Sequence, residues 1–85
     1  MFEFLTRSGC HLCDDARALV NTEVTRRGGE VREIDIDSDE NLVEEFGIRV
    51  PVLRAPNGMV VAEGVIDRRS VRSGLRRVAA RFDRG

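Results

Sequence analysis

Residues 2–13 read FEFLTRSGCHLC, and they indicate which elements open the fold. Its two phenylalanines flank Glu3, which is the period-two pattern of a short strand. Residues 6–9 are typical of a turn, since serine and glycine favour loops over strands. Cys10 and Cys13 therefore follow closely on the first strand.

The residues after this turn have the spacing of a helix over about residues 11–26. Apolar side chains recur there every three or four residues, and acidic residues occupy the first turn, where the helix dipole favours them. Gly28 and Gly29 end the helix. A second strand is predicted at residues 31–36, because isoleucines alternate with acidic residues there.

The second half of the chain predicts two helices and a hairpin. The elements are a short acidic helix at 38–46, a strand at 48–54, a turn at 55–58, a strand at 59–63 and a helix from 67 to about 82. Pro51 cannot donate to a strand ladder, so it belongs at a strand start or an edge. Asp67 or Ser70 is expected to cap the last helix. One apolar stripe of that helix is Val71, Leu75, Val78 and Phe82.

The element order is therefore β-α-β-α-β-β-α, which we read as one domain over residues 1–85. The first β-α-β unit should be parallel with a right-handed crossover, and the last two strands should form an antiparallel hairpin. We expect an α/β fold with a small four-stranded mixed sheet and helices on both faces. The 85 residues leave room for one domain, and 41% apolar with 34% charged residues is typical of a globular chain.

Composition also argues against several functions. The longest apolar runs are far shorter than a membrane span, and the N-terminus lacks the pattern of a signal peptide, so we expect a cytoplasmic protein without a membrane partner. Residues 66–85 contain seven arginines and two acidic residues. No aromatic platform accompanies them, so we read a solvated helix face, with docking of an acidic protein as the alternative and no nucleic-acid partner.

The two cysteines are predicted to carry the chemistry. Two cysteines three apart at a helix start are close enough to bridge. Cys10 lies at the helix N-terminus, where unpaired N–H groups and the dipole favour the nucleophilic thiolate. Cys13, one turn inside and more buried, is suited to attack a mixed disulfide formed on Cys10. His11 as an imidazolium would favour the thiolate further, and a merely solvated histidine is the equal alternative.

The cysteines allow two other interpretations. A structural zinc site needs four ligands, and only Cys10, Cys13 and His11 are available, without a second pair. Free cysteines also fill cores as small hydrophobic side chains. A redox dithiol is favoured because the C-x-x-C motif stands beside a predicted β-α-β unit.

The pattern resembles the glutaredoxin-like branch of the thioredoxin-fold superfamily over nearly the whole chain. The matching features are the cysteine pair after the first strand, Val50-Pro51 before the third, and Gly64 ahead of the last helix. The resemblance implies that Pro51 is cis and faces the dithiol. It also implies that the backbone of Val50 pairs with a substrate peptide or a small thiol.

Several residues depart from the glutaredoxin pattern. Arg7 replaces the lysine three residues before the first cysteine, His11-Leu12 replaces Pro-Tyr, and Arg49 replaces the threonine before Val-Pro. Arg7 and Arg49 are candidates to hold a carboxylate of a thiol cofactor by charge-assisted hydrogen bonds, or are solvated surface side chains. The resemblance gives as the thiol-binding set Arg7, His11, Leu12, Arg49, Val50, Pro51, Gly64 and Asp67.

The expected function is a thiol–disulfide oxidoreductase that acts through Cys10 and Cys13 on a disulfide-containing protein or a mixed disulfide. No bound cofactor or metal is expected. Glutathione, another small thiol or a flavin-dependent reductase would restore the dithiol, and the protein should be a monomer. The alternative is a binding or redox-sensing module without turnover. The resemblance adds an iron–sulfur carrier in which Cys10 and an external thiol hold a cluster across a dimer.

Overall fold

The computed structural model describes the backbone of residues 1–83 and the side chains of residues 1–80. In chain order the elements are β1 (Phe2–Thr6), α1 (His11–Thr25), β2 (Val31–Asp35), a 3-10 turn (Ile36–Ser38), α2 (Glu40–Phe46), β3 (Val52–Arg54), β4 (Val60–Glu63) and α3 (Arg68–Asp83). The predicted β-α-β-α-β-β-α order and the α/β class are confirmed.

The four strands form one mixed sheet in the order β2-β1-β3-β4. β1 pairs in parallel with β2, so Thr6 lies opposite Asp35 at their carboxyl ends. β3 is antiparallel to β1 and places Val52 opposite Leu5, while β4 is antiparallel to β3 and places Glu63 opposite Val52. The loops that follow β1, β2 and β4 and the loop that precedes β3 therefore all emerge at one edge of the sheet.

Helices cover both faces of the sheet, as predicted. Successive strand residues point to opposite faces, so Phe4 faces α1 and α3 while Leu5 faces α2. The larger core includes Phe4, Ala16, Val20, Val24, Leu53, Val61, Val71, Leu75 and Val78. The smaller core consists of Leu5, Ile36, Phe46 and Val52. Both cores include a residue of the central strand β1, so this strand packs against helices on both of its faces.

Local hydrogen bonds account for the starts of the helices. The Asp67 carboxylate accepts a 2.7 Å hydrogen bond from the Ser70 backbone N–H, and the Ser70 hydroxyl oxygen accepts one of 3.0 Å from the Asp67 N–H. This reciprocal capping box starts α3, so both predicted capping residues take part. In the same way the Asp39 side chain accepts from the Asn41 N–H at the start of α2.

Three predicted strands are shorter than the sequence suggested, β4 only by Met59. β2 ends at Asp35, because the Asp35 side chain accepts a 2.9 Å hydrogen bond from the Asp37 N–H. Ile36 is therefore the first residue of the 3-10 turn and not the last residue of the strand. β3 begins only at Val52. The residues before it continue the turns of α2, since the Arg49 and Val50 N–H groups both donate to the Phe46 carbonyl.

The last helix shows the predicted apolar stripe as far as its side chains are described. Val71, Leu75 and Val78 are buried, and the predicted contribution of Phe82 lies outside the described side chains. Across the part of the chain that the structure describes, no helix combines the length and apolar character needed to span a membrane.

Candidate functional site

Cys10 is the N-cap residue of α1 and is half-buried. Its extended backbone, with φ −92° and ψ 102°, lets its side chain turn back onto the first turn of the helix. The Cys13 N–H donates to the Cys10 Sγ at 3.1 Å, and the Cys10 N–H donates to the Arg7 carbonyl at 3.3 Å. The sulfur of Cys10 therefore takes the place that a serine or aspartate oxygen occupies in other helix caps.

Cys13 lies one turn further along and is fully buried. A disulfide joins Cys10 and Cys13 across a Cα–Cα distance of 5.2 Å, which is in the usual range for such a bond. Both residues between them, His11 and Leu12, are exposed. A molecule that approaches from solvent therefore contacts Cys10 first, whereas Cys13 is not accessible from solvent.

The loop before β3 lies at the same edge of the sheet as the cysteine pair. The Val50–Pro51 peptide bond is cis, and Pro51 is buried. Because Val52 lies opposite Leu5, continuing the register places Pro51 beside Thr6 at the end of β1. The Pro51 carbonyl accepts a 2.9 Å hydrogen bond from Gly64, whose φ of +73° favours glycine. Gly64 thus joins the loop after β4 to the loop before β3.

Arg7 connects the cysteine loop to the end of α2. Its guanidinium donates two hydrogen bonds to the Asp37 carboxylate, Nε at 3.1 Å and Nη2 at 2.8 Å. Its Nη1 donates to the Gly47 carbonyl at 3.4 Å. The predicted thiol-binding cation is therefore already paired within the protein.

Arg49 is paired in the same way. Its Nε and Nη2 donate to the Glu63 carboxylate at 2.7 and 3.1 Å, and these hydrogen bonds lower the pKa of Glu63. The guanidinium also lies over the Phe46 ring, 5.0 Å from its centre. Arg49 thereby holds the loop before β3 against the end of β4.

A polar pocket of about 300 Å³ lies beside the cysteine loop and is lined by an ion-pair network. Arg17 on α1 donates to Glu33 on β2 at 2.7 and 2.9 Å and to Asp14 at 3.0 Å. The buried Thr6 hydroxyl donates to the same Glu33 carboxylate at 3.0 Å. Hydrogen bonds from Arg17 lower the pKa of Glu33. The network fixes the first turns of α1, and with them Cys10, to the sheet.

The exposed apolar side chains at this edge include two residues that the sequence analysis did not select. Among the described residues four large apolar side chains are exposed: Met1, Leu12, Ile48 and Val65. Leu12 lies in the first turn of α1, and Ile48 and Val65 lie in the loops before β3 and after β4 at the same edge, whereas Met1 is at the opposite end of β1. Ile48 and Val65 each follow a glycine at the end of an element. An apolar residue directly after such a glycine is the sequence feature by which these two residues could have been selected.

Asp67 has a structural role in this chain, and the predicted solvated arginine face of α3 is wrong for Arg72 and Arg77. Asp67 caps α3, and two arginines of α3 bond within the fold. Arg72 donates to the buried Glu23 at 2.8 Å, and Arg77 donates to the carbonyls of Val60 and Val61 at 2.8 and 3.2 Å. Within residues 1–80 no three His, Cys, Asp or Glu side chains are grouped as a metal site would require.

Comparison with known proteins identifies the family. A family model described as Glutaredoxin-like domain (DUF836) matches residues 2–76. The chain belongs to this family. The predicted glutaredoxin-like resemblance is therefore confirmed, and the family together with the bridged Cys10–Cys13 pair indicates a redox module.

Solved structures agree with the fold of this glutaredoxin-like protein. The X-ray structure of protein XcR50 from X. campestris superposes on this chain with a TM-score of 0.75. The two sequences are 32% identical, and the match covers 91% of this chain and 97% of XcR50. A solution structure of protein Ne2328 from Nitrosomonas europaea is 26% identical, with coverage of 85% and 86% and a TM-score of 0.70. A malarial protein, 12% identical with coverage of 89% and 92% and a TM-score of 0.65, shares the fold alone. No curated protein matches the sequence.

Proposed function

We propose that this glutaredoxin-like protein is a thiol–disulfide oxidoreductase that reduces disulfides through Cys10 and Cys13. The observation that carries the proposal is the difference in access within one disulfide. Cys10 is half-buried at the N-terminus of α1, whereas Cys13 is fully buried behind it. Such an arrangement separates the residue that meets a substrate from the residue that completes the reaction.

The proposed reaction begins from the dithiol. The Cys10 thiolate attacks one sulfur of a substrate disulfide, so a mixed disulfide forms and the other substrate sulfur leaves as a thiolate that takes up a proton. The Cys13 thiol then loses its proton and attacks the Cys10 sulfur. The Cys10–Cys13 disulfide forms and the second substrate thiol is released. The substrate gains two electrons and two protons, and the protein dithiol loses them.

The helix start supports the first of these steps and the later reduction of the protein. The Cys13 N–H donates to the Cys10 sulfur, and the positive end of the α1 dipole points at the same atom. Both interactions favour negative charge on that sulfur. They therefore stabilise Cys10 as the attacking thiolate, and as the leaving group when a reductant thiol attacks the outer sulfur of a mixed disulfide on Cys10.

The protein needs a reductant from outside to complete a cycle. We propose a low-molecular-weight thiol, glutathione or another, or a flavin-dependent reductase, as the donor of two electrons. The reaction itself requires no bound cofactor. A cytoplasmic monomer that acts on disulfide-containing proteins fits this chemistry, because cytosolic reductants keep such a dithiol reduced.

The test compares two cysteine variants with the wild type in turnover of a protein disulfide. Cys10→Ser should abolish both turnover and adduct formation. Cys13→Ser should stop turnover but accumulate a mixed disulfide on Cys10, which intact mass and a peptide map would detect. Ala18→Ser, an exposed change on α1, keeps both thiols and serves as the control.

Three outcomes would contradict the proposal. Turnover retained by Cys10→Ser would show that Cys10 is not the nucleophile. A wild-type protein that is oxidised once and never turned over with any reductant would support the redox-sensing alternative. An iron–sulfur spectrum after anaerobic reconstitution, together with absent turnover, would favour a cluster carrier.

A further inference from the structure

We infer that the end of the molecule opposite the cysteine pair binds a small amphiphilic anion, a molecule with an acyl-like apolar body and one anionic head group. An apolar pocket takes the body, and a group of arginines beside it takes the head group. Neither feature takes part in the chemistry proposed for Cys10 and Cys13, so the inference goes beyond that function and is tested separately from it.

The apolar pocket has a volume of about 370 Å³ and lies where α1 ends, β1 begins and the turn after β3 returns to β4. Pockets that bind small molecules are typically mostly apolar clefts of about 300–1,000 Å³. The walls here are side chains of the larger core or packed against it, with two exposed residues at the opening. They include Phe2, Val24, Pro56, Leu75, Val78 and Ala79.

The wall at the end of α1 is closely packed. A Cβ at Gly29 would lie 2.8 Å from the Val24 Cγ1 and 3.2 Å from a ring carbon of Phe2, so this glycine is in direct contact with both side chains. The Gly29 N–H donates to the Val24 carbonyl at 3.1 Å, and the Phe2 N–H donates to the Glu30 carbonyl at 2.8 Å. These bonds use the polar groups of the backbone and leave an apolar surface toward the pocket.

Three arginines surround one carboxylate beside the apolar pocket. Arg72 and Arg27 donate to the Glu23 Oε1 at 2.8 and 3.4 Å. The Arg26 Nη1 lies 3.6 Å from the Glu23 Oε2. These four residues line an open pocket of about 510 Å³, called the arginine pocket below.

The arginine pocket keeps an excess of positive charge. The Glu23 side chain is 2% exposed, whereas the three arginine side chains are 42–64% exposed. One carboxylate offers about four acceptor sites, and each guanidinium has five N–H donors, so most of the donors remain available. Among the described residues that line either pocket, Glu23 carries the only carboxylate. Three cations around one anion leave a net charge of two positive.

Arg27 joins the two pockets, because it lines both of them. Its Nη1 donates to the Glu23 backbone carbonyl at 3.1 Å, directly before Val24 of the apolar wall. An anionic group bound at Arg27 therefore lies beside the cations that share the Glu23 carboxylate, and its attached apolar body can enter the apolar pocket. Guanidiniums bind carboxylate and phosphate groups by paired N–H bonds, which suits such a head group.

One class of ligand satisfies both pockets. An uncharged apolar molecule leaves the available guanidinium donors without a partner, and a small inorganic anion leaves the apolar walls in water. A fatty-acid-like anion covers both. Burial of its chain is favourable in proportion to the apolar area removed from water, and the head group adds an attraction that salt screens.

The test titrates the disulfide form of the wild-type protein with octanoate and follows the backbone amide shifts by NMR. Octanol lacks the charge and acetate lacks the chain, so these two molecules are the comparison probes. We expect octanoate to bind about threefold tighter than octanol at low salt, and at least about tenfold tighter than acetate. The shifts should concentrate at residues that line the two pockets and leave Cys10 and Cys13 unchanged.

Two exposed substitutions separate the parts of the site. Ala79→Leu fills the apolar pocket and should weaken octanoate and octanol alike by about tenfold. Ala80→Leu, on the same helix but not in the lining, is the matched control. Arg26→Gln should weaken octanoate about threefold and leave octanol within about twofold, with Arg69→Gln as the charge-matched control. All four positions are exposed, so the fold should be retained.

Two results on these probes would overturn the inference. Octanoate that binds no tighter than acetate, or no weaker in Ala79→Leu than in Ala80→Leu, would show that the apolar pocket takes no chain. Octanol that binds as tightly as octanoate, or equal losses in Arg26→Gln and Arg69→Gln, would show that the arginines do not hold a head group.

Two other occupants of the pocket are also outcomes of the test. Phe82 follows Val78 by four residues, and its side chain lies outside the described ones. Octanoate binding that appears only in Phe82→Ala would mean that the chain's own C-terminus takes the apolar pocket. Binding to vesicles of phosphatidylcholine and phosphatidylglycerol without binding of octanoate would mean a lipid surface. Either result contradicts the inference, and neither affects disulfide reduction, which the cysteine variants test.

Discussion

Glu23 on α1 and Arg72 on α3 form an ion pair in which the carboxylate is almost completely buried. The Arg72 Nε donates to the Glu23 Oε1 at 2.8 Å, and the Glu23 side chain is 2% exposed. Arg26 and Arg27 approach the same carboxylate at 3.6 and 3.4 Å. One buried acid thus joins the ends of the two helices that cover the larger core.

Replacing this acid should destabilise the fold. Glu23→Gln removes the negative charge but leaves three arginines around the site, so we expect the melting temperature to fall by about 5–10 °C. Glu44→Gln on the exposed surface of α2 is the control and should change it little. A Glu23→Gln protein as stable as the wild type would show that the pair adds nothing to stability.

The stability of the protein should fall in acid. Hydrogen bonds from arginines lower the pKa of three glutamates: Glu23 beside Arg72, Glu33 beside Arg17 and Glu63 beside Arg49. An unfolded glutamate titrates near pH 4.3, so the unfolded chain binds more protons just below that pH. The stabilisation from these pairs is therefore complete above about pH 4.3 and is lost as pH falls through the lower pKa values of the folded protein.

The urea concentration at the midpoint of unfolding should therefore decrease as pH is lowered from neutral to acid. The decrease should be less steep in Glu23→Gln. A midpoint that rises in acid would contradict this sign.

Gly74 on α3 should not tolerate a side chain. A Cβ at this position would lie 2.7 Å from the Val61 Cγ1 and still closer to the Val61 carbonyl oxygen, since α3 packs directly on β4. Gly74→Ala gains about 1 kcal/mol of helix propensity, but overpacking costs about 1–3 kcal/mol or more where backbone must move. We expect net destabilisation in urea unfolding, whereas the exposed Ser73→Ala in the same helix should be neutral or stabilising. A more stable Gly74→Ala would mean that α3 does not approach β4 this closely.

Releasing Arg7 should make the site accept glutathione better. Asp37→Asn, in the Cys13→Ser background, removes the carboxylate that holds the Arg7 guanidinium. One freed surface cation should raise the rate with oxidised glutathione about two- to fivefold at low salt. The gain should disappear at high ionic strength, because surface charges are screened. Glu44→Gln is the charge-matched control, and an unchanged rate would show that Arg7 does not face the incoming carboxylates.

Local patterns in the sequence predicted the elements well. The alternation around Glu3 gave β1, and the glycines at 28–29 marked the end of α1. The Asp67 and Ser70 pair gave the start of α3. The errors lie at element ends, where Asp35 captures a nearby N–H and the turns after α2 delay β3 to Val52. Such local hydrogen bonds compete with strand pairing and leave no period in the sequence.

The candidate site was predictable in part. The cysteines and Val50-Pro51 stand out by motif, while the pairing of Arg7 with Asp37 and of Arg49 with Glu63 does not. A free arginine and a paired one look alike in a sequence. Ile48 was assigned to a strand and is instead fully exposed in a turn.

Periodicity and turn chemistry act between near neighbours, so the sequence alone predicts the order of helices and strands and the place of the cysteine pair at a helix start. The strand order β2-β1-β3-β4 and the burial of Glu23 against an arginine 49 residues away are set by the tertiary structure alone. Those relationships depend on how distant segments pack on the central strand β1, which no local pattern encodes.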